Sequence, residues 1–96
     1  MDINKKSEMF SFVDANDLFK LTGEFTNEVN GVLNITFQVN NLENAYVGSG
    51  NYCKYSEGNS VNFNLNCPEE SRETIINSVN ELILNILNFI NENIEE

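Results

Sequence analysis

Histidine is absent from this sequence of 96 residues, and arginine occurs once, as Arg72. Without histidine the chain lacks the commonest general base and the commonest metal ligand. No serine or cysteine stands beside an evident base that could activate it as a nucleophile. We therefore expect a protein without enzymatic activity, cofactor or metal site.

Positive charge is also scarce, since five basic residues face fifteen acidic ones and the formal net charge is −10. No lysine or arginine lies between Lys20 and Lys54. A chain of this charge repels phosphate groups, which argues against direct nucleic-acid binding and against an anionic membrane surface. Its electric field attracts basic protein surfaces, although acidity can also serve solubility alone. We expect a basic protein partner.

The two cysteines, Cys53 and Cys67, have neither a zinc nor a redox spacing. The first ten residues, MDINKKSEMF, contain no long apolar run, so we expect no signal peptide and no membrane span. These features predict a cytoplasmic protein with reduced thiols. Nineteen asparagines against a single arginine are typical of an AT-rich genome and indicate a low-GC bacterium or one of its phages.

Alternating apolar and polar residues predict strands in the first two thirds of the chain. The clearest run is residues 33–40, preceded by an Asn-Gly hairpin signal at Asn30 and Gly31. A three-residue loop at 29–31 would set Ile35 opposite Phe25 and keep apolar residues on one face. Earlier strands are expected at 7–14 and 19–26.

A second hairpin is expected over about 45–55 and 60–66, with its turn at 57–59. The sequence allows two alternatives for the pairing register of these two strands. A two-residue turn places Tyr46 and Tyr52 on the core face, whereas a three-residue turn places Val47, Cys53 and Tyr55 there. Gly48 and Gly50 in this strand indicate a bulge or a sheet edge.

The C-terminal third predicts one long amphipathic helix that begins at Pro68, where the missing N–H group costs nothing. Glutamates in its first turns favour the positive end of the helix dipole. The apolar residues of this helix form one stripe along it, but Leu84 and Phe89 lie outside that stripe. They could contact a second copy of the chain and so form a homodimer through the helix. The stripe consists of Ile75, Ile76, Val79, Leu82, Ile83, Ile86, Leu87, Ile90 and Ile94.

These elements predict a single α+β domain over residues 1–96, with the sheet at about 7–67 and the helix at about 68–94. The fold is an antiparallel β-meander of four to five strands, covered on one face by the helix. Its other face carries asparagine, threonine and glutamine.

Two groups of carboxylates are candidates for binding a basic partner. One lies in the cation-poor sheet region and the other at the helix start. They are Glu24, Glu28 and Glu43, and Glu69, Glu70 and Glu73.

In size, in its charge of −10 and in its cation-free run, the chain resembles small phage-encoded anti-defence proteins, anti-CRISPR proteins above all. The resemblance is one of general type, covers the whole chain and includes no motif. It implies an inhibitor that acts as a DNA mimic in the nucleic-acid groove of an effector, or that blocks its activation. Two other classes fit the same sequence: an immunity protein for a nuclease toxin, and a structural or assembly protein of a phage or bacterium.

Overall fold

A computed structural model describes residues 2–6, 9–27, 32–55 and 60–94. Within these ranges six strands form one antiparallel sheet in the order of the chain, and a single helix follows. The strands are β1 (Asp2–Lys6), β2 (Met9–Ala15), β3 (Phe19–Asn27), β4 (Leu33–Asn41), β5 (Tyr46–Lys54) and β6 (Val61–Asn66). A 3₁₀ turn at Glu69–Ser71 leads into the helix α1 (Arg72–Ile94).

The predicted α+β meander with one covering helix is therefore confirmed. Five of the six strands correspond to expected ones, and β1 was not expected. Its sequence, DINKK, contains one apolar residue, Ile3, and so shows no alternation. Ile3 lies opposite Phe12 and packs against the core, which is enough to hold an edge strand.

The alternation in β4 predicts its burial correctly. Leu33, Ile35, Phe37 and Val39 are buried, whereas the residues between them are exposed. Ile35 pairs with Phe25 and Val39 with Leu21, as expected for a three-residue loop. The loop residues 28–31 themselves lie outside the described residues.

The register of β5 and β6 differs from both alternatives. The backbone N–H of Tyr55 donates to the carbonyl of Ser60, so four residues, 56–59, separate the hydrogen-bonded ends. Tyr52 lies on the face that carries the helix, opposite Phe63. A bulge between Val39 and Asn40 then moves Tyr46 to the opposite, open face and lets Val47 contact the core. The turn at 57–59 lies outside the described residues.

The helix starts later than expected, because Pro68 is extended (φ −62°, ψ 139°) and precedes the 3₁₀ turn. At 1.5 Å per residue, the 23 residues of α1 span about 35 Å. A nine-residue strand such as β3 or β4 spans about 30 Å. The length of the helix is therefore matched to the sheet.

The helix lies over β2, β3 and β4 and leaves β6 uncovered. Phe89 makes edge-to-face contacts with Phe10 and Phe25, with ring centroids 5.5 and 6.1 Å apart. On β6, by contrast, Val61 is 51% exposed and Phe63 is 37% exposed. Phe89, although off the main stripe, thus serves the core, whereas Leu84 faces solvent. The fully buried stripe residues are Ile75, Val79, Leu82 and Ile86.

Two glycines on the helix side of the sheet allow close approach, Gly23 to the backbone of β4 and Gly50 to the Phe37 ring. Gly23 lies between Phe12 on β2 and Phe37 on β4. Gly50 lies next to Phe37 on the other side, and a Cβ atom there would approach the Phe37 ring to 2.7 Å. The ring of Phe37 stacks on Phe63 at 6.4 Å.

Both cysteines are free, as expected, and they lie on different faces of the sheet. Cys53 is buried on the open face, opposite Asn34. The Cβ of Cys67 lies 2.9 Å from where a Cβ atom on Gly48 would be, on the side that carries the helix. The sheet itself separates the two thiols, so they cannot form an intramolecular disulfide.

Truncating Phe37 to alanine should lower the free energy of unfolding by about 3–5 kcal/mol, because the 4% exposed ring leaves a cavity between sheet and helix. Gln38→Ala, one residue along on the open face, should change it by less than about 0.5 kcal/mol. Urea denaturation followed by circular dichroism measures both. Equal losses, or a larger loss for Gln38→Ala, would contradict the assignment of faces.

Gly23→Ala should destabilise the protein by about 1–3 kcal/mol or more, through overpacking. The added methyl group would overlap the backbone carbonyl of Thr36 and the Cα atom of Phe37, neither of which can move without shifting β4. Thr22→Ala on the open face is the control, and urea denaturation is again the measurement. A Gly23→Ala variant as stable as the control would show that β3 and β4 are not held so closely at this point.

Candidate protein-binding surface

Three connections lie at the same end of the sheet. In an antiparallel meander the connections alternate between the two ends, so β2–β3, β4–β5 and β6–α1 share one end. We call this end, with its exposed carboxylates, the acidic end. Its carboxylates are those of Asp17, Glu43, Glu69, Glu70 and Glu73, all exposed. With strands about 4.8 Å apart, the distance from β2 to β6 is about 19 Å.

The β2–β3 turn is fixed by Asn16. Its Oδ1 accepts hydrogen bonds from the backbone N–H groups of Leu18 and Phe19, both at 2.8 Å. Its Nδ2 donates to Oγ of Ser78 on the helix, also at 2.8 Å. Asp17 is therefore presented by a turn that is tied to α1 as well as to its own strands.

The β4–β5 turn is built in the same way around Asn41. Its Oδ1 accepts from the backbone N–H groups of Glu43 (2.9 Å) and Ala45 (3.0 Å). Asn44 follows with a positive φ of 67°, a conformation that asparagine tolerates better than most residues. This turn gives Glu43 a defined position at the acidic end.

The remaining carboxylates come from the segment between β6 and the body of α1. Glu69 and Glu70 belong to the 3₁₀ turn, and Glu73 to the first turn of the helix. Negative charge there is stabilised by the unpaired N–H groups at the helix start. Arg72 lies among them and Lys20 lies near the start of β3, so the described end carries five exposed carboxylates and two cations.

The six candidate carboxylates are thus regrouped by the fold. Glu43 lies with Glu69, Glu70 and Glu73 at the acidic end, away from Glu24. Glu24 is half-buried on the open face, between Ser11 and Thr36, and Glu28 lies outside the described residues. Asp17 is not among the six carboxylates that the sequence singled out. The alternation of connections in a meander is the signal that would have placed it beside Glu43.

The open face of the sheet offers hydrogen-bonding groups. Neighbouring amides bond along the strands, as Gln38 does to Asn40 at 2.9 Å. A shallow depression of about 200 Å³ lies beside Glu24, lined in part by Met9 and Asn34.

A hydrogen bond with Cys53, the negative charge of its thiolate and a little burial raise the pKa of the Tyr55 phenol above its usual 10.0.

Comparison with known proteins gives no match to a family model, to a curated protein or to a solved structure. In the described part of the chain, no group of three or more acidic or cysteine side chains is arranged to hold a metal ion. Among the residues that the structure describes, no helix has the apolar length that crossing a membrane requires.

Asn16→Ala should lower the free energy of unfolding by about 1–3 kcal/mol, because three hydrogen bonds are lost and the turn donors lose their acceptor. Asn16→Asp retains the side-chain oxygen that accepts the two turn hydrogen bonds and loses the hydrogen bond donated to Ser78. Its free energy of unfolding should therefore lie between those of Asn16→Ala and the wild type. Asn64→Ala, at an exposed position on β6, should stay within about 0.5 kcal/mol of the wild type. If urea denaturation showed Asn16→Ala to be as neutral as Asn64→Ala, the turn would not be held by this side chain.

Proposed function

We propose that this protein is a non-catalytic inhibitor that captures a basic, nucleic-acid-handling effector protein through its acidic end. The proposed setting is counter-defence of the anti-CRISPR type in the cytoplasm of a bacterial host. The observation that carries the proposal is the gathering of five exposed carboxylates, from three separate connections, at one end of the sheet.

Carboxylates in this arrangement can replace phosphates as counter-charges for lysine and arginine. A groove that holds a nucleic acid presents such cations in a row, and an acidic edge about 19 Å wide spans several of them. Each contact is solvent-exposed and contributes about 0–1 kcal/mol. Together the charges speed encounter and make binding sensitive to salt.

Fixed turns make the acidic end more effective as a binding surface. Asn16 and Asn41 hold their turns through five side-chain hydrogen bonds of 2.8–3.0 Å. A surface that is already ordered loses less conformational entropy when a partner binds. The absence of histidine from the sequence favours binding over catalysis as the role of these carboxylates.

The test compares two variants with the same change in charge. The first replaces Glu43, Glu69 and Glu70 with glutamine at the acidic end and leaves Glu73, which stabilises the helix start, in place. The second replaces Glu24, Glu81 and Glu92, which lie on the open face and along α1. The partner is first identified by affinity capture from the native host and mass spectrometry.

At low salt the acidic-end variant should bind the identified partner about tenfold to a hundredfold more weakly, since three contacts of up to 1 kcal/mol are lost. Its affinity should also vary less with salt, whereas the control variant should bind as the wild type does. Binding is measured by calorimetry at several salt concentrations, and circular dichroism checks the fold. If both variants match the wild type at every salt concentration, the acidity serves solubility and the assembly-protein alternative gains.

A further inference from the structure

Strand β6 is an open edge of the sheet without the usual protection against pairing with another strand. Edge strands are commonly blunted by lysine, proline or a bulge. The sequence of β6, VNFNLN, contains no charged residue and no proline, and its pairing with β5 is regular throughout. The opposite edge, β1, contains Lys5 and Lys6 in its sequence.

The backbone groups of β6 that point outward can be assigned. Tyr55 and Ser60 form a hydrogen-bonded pair, and such pairs recur at every second residue of an antiparallel ladder. Asn62, Asn64 and Asn66 therefore bond to β5. The N–H and C=O groups of Val61, Phe63 and Leu65 point away from the sheet, as a further antiparallel strand requires.

The side chains of the same three residues form an apolar strip beside the helix. They lie on the face that α1 covers, but the helix lies over β2–β4 and leaves Val61 and Phe63 exposed. Val61 is 51% exposed and Phe63 is 37% exposed, while Leu65 is half-buried against the core. The strip and the outward backbone groups thus belong to the same residues.

The charge distribution identifies a suitable occupant. Two copies of a chain with a net charge of −10 repel each other over most of their surfaces. Strands β5 and β6 are different, because they contain no carboxylate and one cation, Lys54. Antiparallel pairing of two β6 strands therefore joins the two copies along strands that carry no carboxylate, where the repulsion between the copies is weakest.

We propose that β6 pairs in antiparallel fashion with β6 of a second copy of this chain, forming a continuous sheet across a twofold axis at Phe63. In this register Phe63 faces its own counterpart and Val61 faces Leu65, which gives about six interchain hydrogen bonds. The two apolar strips join into one surface beside the helices. The interface is separate from the capture of a basic partner and goes beyond the proposed function.

Sedimentation velocity of the full chain over a wide concentration range tests the proposal. The mass should rise from 10.9 kDa at low concentration toward twice that value. Val61→Lys should weaken dimerisation about tenfold or more, because twofold symmetry places each substitution in the interface twice. Leu84→Lys is the matched control, since Leu84 is 59% exposed on the solvent face of α1 and should leave the dimer intact.

Amide hydrogen exchange gives a second, independent readout. The amides of Val61, Phe63 and Leu65 should exchange more slowly as the concentration rises, whereas those of Asn62 and Asn64 should not change. A wild type that stays monomeric at millimolar concentration would overturn the proposal. A dimer that Leu84→Lys disrupts and Val61→Lys retains would also overturn it. The same holds if the amides of β6 become protected from exchange only after another protein is added. Val61→Lys retains Glu43, Glu69 and Glu70, so capture of the basic partner by this variant separates the two proposals.

Discussion

The rest of the structure depends on where the helix is seated against the sheet. The buried stripe of α1 meets the helix-side faces of β2, β3 and β4, and Phe89 closes one end of this contact against Phe10 and Phe25. At the other end, Ser78 bonds to Asn16 in the β2–β3 turn. Because a single helix cannot cover six strands, the position of α1 determines which strands share a core and which remain exposed.

Two surfaces of opposite character follow from this arrangement. The chain must leave β6 and cross back over the sheet to reach the helix seat, and this crossing places Glu69 and Glu70 at the same end as Glu43 and Asp17. The same seat leaves β6 uncovered, with apolar side chains exposed and no carboxylate on β5 or β6. Among the described residues, five exposed carboxylates thus lie at one end of the sheet, while the apolar exposure runs along one edge.

Much of the fold could be predicted from the sequence, because alternation and helical periodicity report directly on burial. The pairing of Phe25 with Ile35 follows from keeping apolar residues on one face. The register of β5 could not be predicted, since Gly48 and Gly50 carry no side chain to mark a face and a bulge changes the alternation at Val47. The acidic end was predicted only in part, because its carboxylates are far apart in sequence and meet only once the order of the strands is known.

The most direct measurement is a nuclear Overhauser spectrum of the full chain, recorded on methyl- and aromatic-labelled protein. A helix that lies over β2–β4 predicts cross-peaks from the Phe89 ring to the rings of Phe10 and Phe25, whose centroids lie 5.5 and 6.1 Å away. It also predicts no cross-peak between the helix and Val61. Cross-peaks that join the helix to Val61, in place of those to Phe10 and Phe25, would put the helix over the other half of the sheet and contradict the account.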